Sequence, residues 1–121
     1  IDGTTDSEHI FALFSNVLDT HPELPLEIAL QRTLQILRDL VEAERTTISA
    51  NIVISDGDRL IASRFAHRAT VPSLYWLKNS SDYPDSVILA SEPIFADNWH
   101  ICPMQSIITV SKYLDVQVHP I

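Results

Sequence analysis

The feature that most constrains this chain is a change of hydrophobic period near Arg45. Before it, apolar residues recur every three or four positions, as on one face of a helix. Ile10, Leu13, Phe14, Val17 and Leu18 make a first apolar face over residues 6–18. Leu26, Leu30, Leu34, Leu37, Leu40 and Val41 make a second, which follows a loop punctuated by Pro22 and Pro25. Proline suits the first turn of a helix, where its missing N–H costs nothing. After Arg45 the period becomes two: Ile48, Ala50, Ile52 and Ile54 alternate with Thr47, Ser49, Asn51 and Val53. Asp56-Gly57 lies between that run and a second one over 59–65, which signals a hairpin. Further strands are expected over 74–77, 86–90, 106–111 and 114–118, with 92–103 irregular. Two helices followed by antiparallel strands make an α+β fold.

Composition narrows the function classes. The chain has 121 residues, 45% of them hydrophobic and 20% charged, which suits one domain or part of one and excludes disorder. Its net charge of -8, with scattered basic residues, argues against a nucleic-acid partner. No apolar run reaches the length of a membrane span. One cysteine rules out an internal disulfide and is compatible with the cytoplasm. There are only 2 glycines, Gly3 and Gly57, which removes phosphate-cradling loops and dinucleotide-binding turns.

Thr5-Asp6-Ser7-Glu8 marks the start of the first helix. Thr5 and Glu8 have the spacing of a capping box, in which each side chain reaches the other's backbone N–H. Asp6 then falls in the first turn, where the macrodipole favours negative charge.

The same four residues resemble the Thr-Asp-Ser/Thr-Glu element of class II glutamine amidotransferases, which are N-terminal-nucleophile hydrolases. The resemblance continues through 48–55, Asp56-Gly57-Asp58, 59–65 and 87–93, and is nearest to single-domain γ-glutamyl hydrolases of ergothioneine synthesis or glutathione degradation. It implies the second half of an αββα sandwich, with residues 1–121 as the C-terminal portion of one such domain. It also implies cleavage of the γ-amide of glutamine or a γ-glutamyl conjugate, with no cofactor, and assigns Asp6 to the substrate's α-ammonium group.

The family's N-terminal cysteine nucleophile and Asn-Gly oxyanion pair have no counterpart: the chain begins at Ile1 and contains no Asn-Gly. No catalytic residue is therefore expected in this chain, and alone it should be inactive. The expected partners are the N-terminal portion of the same domain, a small γ-glutamyl substrate and, in a homo-oligomer, a second copy. The alternative reading is a non-catalytic acidic α+β module that binds a protein.

Other candidate chemistry is weaker. The five histidines, His9, His21, His67, His100 and His119, include no pair at the helical spacing of a zinc site, and no metal is expected. His100 and Cys102 would share a face only on a strand. Arg64 and Arg68 flank a strand end, where arginine suits a bidentate grip on a carboxylate. The Asp56/Asp58 and Asp82/Asp85 pairs read as turn residues.

Overall fold

The computed structural model describes the backbone of residues 3–121 and the side chains of residues 7–121. The chain divides into two units, Ile1–Thr46 and Thr47–Ile121.

The first unit is a pair of helices, α1 (Gly3–Thr20) and α2 (Leu26–Glu44). Ile10, Phe14 and Val17 are buried on α1, and Ala29, Leu30, Thr33, Leu34, Leu37 and Val41 on α2. Leu40, expected on the inner side of α2, is instead 51% exposed. The buried stripe runs through Leu30, Leu34, Leu37 and Val41, and Leu40 lies one helical step to its side. Thr33 is fully buried because its hydroxyl donates to the Ala29 carbonyl at 2.8 Å. Pro25 occupies the position before α2, and its carbonyl accepts the Ala29 N–H at 3.0 Å. At the other end Arg45 turns left-handed at φ 56, and Thr46 N–H reaches the Val41 carbonyl at 3.0 Å. Those bonds satisfy carbonyls that the helix cannot pair internally.

The second unit holds eight strands: β1 (Ile48–Ala50), β2 (Val53–Ser55), β3 (Leu60–His67), β4 (Tyr75–Lys78), β5 (Val87–Ala90), β6 (His100–Ile101), β7 (Ser106–Val110) and β8 (Val116–Pro120). One antiparallel sheet runs β1-β3-β7-β8, with β2 also on β3; the other runs β5-β4-β6. Ala62 and Ile108 from the first sheet meet Leu74 and Cys102 in a buried cluster, and Trp76, Leu89 and Val116 pack against it. Part of the core of this unit is therefore the layer between its two sheets, while Ile61, Phe65 and Ile107 are buried on the opposite face of the first sheet.

The Asp56-Gly57 hairpin forms as expected, with Ser55 opposite Leu60. Asp56 Oδ1 accepts the Asp58 N–H at 2.9 Å and the Arg59 N–H at 2.7 Å, while Gly57 takes φ 94. The strand expected over 48–55 is broken at Asn51-Ile52 without a change of register. Ser63 bridges the break: its hydroxyl donates to the Ala50 carbonyl at 2.9 Å and accepts the Ile52 N–H at 3.2 Å. Strand β8 starts at Val116, two residues later than expected, because Leu114 turns left-handed at φ 66 within the connecting loop. The two-residue β6 lies inside the stretch read as irregular; it is too short to show a period.

Candidate functional site

The element that carries the proposed substrate contact is α1. It begins at Gly3, so Thr5 is its third residue and does not occupy the cap position. The expected capping box fails on that ground, since a capping residue must stand outside the helical backbone. Asp6 is the fourth residue of α1 and still belongs to the first turn, where the macrodipole favours negative charge. The side chains of Thr5 and Asp6 lie outside the described residues. Glu8, one turn further in than expected, is exposed.

Arg64 projects from the middle of β3 and serves the fold. Its Nε donates to the Pro72 carbonyl at 2.9 Å and its Nη1 to the Cys102 carbonyl at 2.6 Å. Asn51 Nδ2 donates to the same Pro72 carbonyl at 3.2 Å and to Ser73 at 3.1 Å. A guanidinium spans two carbonyls well because its donors are fixed in one plane. Arg64 thus ties β3 to the segments that enter and leave the second sheet. Arg68 lies beyond the end of β3 at φ 59 and is exposed.

Cys102 is fully buried, and burial pushes its thiol up to about 11, with the nearby Arg64 charge opposing the shift. A thiol so placed is almost wholly protonated at neutral pH and is a poor nucleophile. His100 does not join it: the imidazole is exposed and stacks on Trp76, ring centroids 4.3 Å apart. Among the described residues no three His, Cys, Asp or Glu side chains come together as a metal site. Asp56 and Asp58 sit in a turn, as expected. Backbone N–H groups of Arg59 and Asp58 hold the Asp56 carboxyl below the usual carboxylate range.

A feature that sequence reasoning missed is an open cleft of about 340 Å³ between two hairpin tips. Asp58, Arg59 and Lys112 line it together with Leu60, Val87 and Leu114. These residues come from distant segments, and only the antiparallel pairing of β3 with β7 brings the tips side by side.

No family model matches the chain, and no curated protein matches it. Among solved structures it is similar to a glutamine aminotransferase class-II domain protein from Silicibacter pomeroyi, with a TM-score of 0.74 and 24% sequence identity. The match covers 98% of this chain and 53% of that one, so the chain spans about half the length of the solved structure. Among the described residues no helix is long and apolar enough to cross a membrane. Two helices followed by antiparallel sheets make an α+β fold that matches that class-II domain protein.

Proposed function

We propose that this chain is the second half of a glutamine amidotransferase-like hydrolase, acting in the cytoplasm on the γ-amide of glutamine or of a γ-glutamyl conjugate. The observation that carries this reading is the fold likeness over 98% of the chain, taken with Thr5-Asp6-Ser7-Glu8 at the start of α1.

In this reading the nucleophile is an N-terminal cysteine on a segment outside these residues. Its thiol attacks the γ-carbonyl while its own α-amino group takes the thiol proton, fixed donors hold the oxyanion, and that proton passes to the departing amine as the C–N bond breaks. Water then hydrolyses the thioester to release glutamate and the thiol. The inert state of Cys102 supports placing the nucleophile elsewhere. Asp6 receives the substrate's α-ammonium group, an opposite charge at short range, and so selects a free amino acid end.

The test compares three proteins in an assay for released glutamate and ammonia: the full gene-encoded protein, its Asp6→Asn variant and the 121-residue chain. The full protein should be active and the chain alone inactive. Asp6→Asn should mainly raise KM, because the ammonium contact exists in the bound substrate as well as in the transition state. The loss should be about 2–5 kcal/mol, as for one partner of a buried charge pair. Turnover by the isolated chain, or none by the full protein, would overturn the reading.

A further inference from the structure

We infer that Met104 is the oxidation site of this chain: it takes one oxygen atom from hydrogen peroxide and becomes the sulfoxide, while Cys102, two residues earlier, stays a thiol. Met104 has no part in the proposed hydrolysis and is oxidised with or without it. The chain has 1 methionine and 1 cysteine, so it carries two sulfur atoms. Both lie in the short segment between β6 and β7, in opposite surroundings. Cys102 is fully buried in a cluster with Ala62, Leu74 and Ile108, whereas Met104 is 65% exposed. Peroxide in solution meets the second sulfur and is kept from the first.

Protonation widens the difference. Thiols react with peroxide as thiolates, and burial pushes the Cys102 thiol up to about 11, so almost none of it is ionised at neutral pH. A thioether needs no deprotonation. Its sulfur lone pair attacks one peroxide oxygen, and the S–O bond forms as the O–O bond breaks. The proton on the transferred oxygen passes to the departing hydroxide, which leaves as water. Sulfur loses two electrons and the peroxide gains them.

The backbone around Met104 is fixed by its neighbours. Cys102 N–H donates to the Leu74 carbonyl at 2.8 Å, and the Cys102 carbonyl accepts from Arg64. The Pro103 carbonyl accepts the Ser106 hydroxyl at 2.6 Å. Gln105 binds both backbone groups of Ala66 with its side chain, and its carbonyl accepts the Ile121 N–H at 3.0 Å. Met104 thus projects from a segment pinned on both sides of it. A polar sulfoxide there replaces an exposed apolar group and removes little buried contact, so the fold tolerates the change. Sulfoxide reductases, one for each epimer, restore the thioether, and an exposed residue is open to them. Oxidation at Met104 is therefore reversible.

Hydrogen peroxide treatment of the full gene-encoded protein, followed by peptide mass spectrometry, tests the inference. The peptide holding both sulfurs is read after unfolding, with free thiols blocked by iodoacetamide. Met104 should gain one oxygen at a rate within about threefold of that in the urea-unfolded protein, and Cys102 should be recovered as the alkylated thiol. The rate at Met104 should stay flat between about pH 6 and about pH 8, where thiolate chemistry would rise about tenfold per unit. Met104→Leu should leave that peptide without added oxygen. Met104→Gln, a polar stand-in for the sulfoxide, should shift Tm by less than about 3 °C. Incubation with both sulfoxide reductases should remove the added oxygen. Oxygen on Cys102 before Met104, or a Met104 rate more than about tenfold below the unfolded one, overturns the site. Oxygen that the reductases leave in place, or a larger fall in Tm for Met104→Gln, overturns the claim that the fold tolerates a reversible change there.

Discussion

Gln105 and Ala66 exchange two hydrogen bonds: the Gln105 amide donates from Nε2 to the Ala66 carbonyl at 2.8 Å, and its Oε1 accepts the Ala66 N–H at 2.9 Å. The ladder between β3 and β7 ends at Arg64 opposite Ser106. Beyond it the Gln105 side chain stands where another peptide group would be. Its left-handed backbone, at φ 56, turns the chain out of the strand while the carboxamide stays in register.

Gln105→Leu should therefore destabilise the protein by about 1–3 kcal/mol, since two partly buried backbone groups lose their partners. Gln105→Asn, one methylene short, should recover little of it. Urea denaturation followed by circular dichroism measures both.

Arg64→Lys should behave as a loss of function in the fold. A single ammonium cannot hold the Pro72 and Cys102 carbonyls with the planar spacing of a guanidinium. The expected cost is about 1–3 kcal/mol. A second readout is the reaction of Cys102 with a thiol reagent under native conditions, which should accelerate as its segment loosens. Unchanged thiol reactivity would argue that Arg64 is not the clamp.

The Cys102 thiol predicts a pH dependence of stability. Its value in the folded protein, about 11, lies above the ordinary value of 9.0, so the folded state holds the proton more tightly. The resulting stabilisation is fully present below pH 9 and is lost as pH rises through 11. The loss is at most about 2–3 kcal/mol for this group. Cys102→Ala should flatten that part of the stability profile relative to the parent protein, which isolates the thiol's own contribution.

The Asp56 turn predicts the opposite sign. The carboxylate accepts N–H bonds from Arg59 and Asp58, so its contribution is present above the ordinary carboxylate value and fades as pH falls through its lowered one. Asp56→Ala should fray the β2–β3 hairpin, visible as faster amide exchange at Ser55 and Leu60. Gly57→Ala should cost about 1–2 kcal/mol through backbone strain alone, because φ is 94 and open space surrounds the site.

Most of the candidate site was only partly legible in the sequence. Asp6 could be placed in the first turn of α1 because helix starts have local chemical signals, yet the start itself moved to Gly3. The roles of Arg64 and Gln105 could not be read at all. Each binds backbone carbonyls or amides of remote segments, and every residue offers the same backbone groups, so no side-chain pattern marks the partner.

The sequence by itself determined the element types, because local period decides them. Apolar residues at helical spacing over Ile10–Val17 and Leu30–Val41 can bury one face only as helices. The alternating runs around Asp56-Gly57 can do so only as paired strands. Tertiary structure decided the rest. It split the first strand at Asn51-Ile52 and carried β3 on to His67. It also ranged β7 between β3 and β8 and left β8 at the edge. Strand order is set by which faces exclude water together and which backbone groups find partners. That balance belongs to the whole sheet, and no window of sequence contains it.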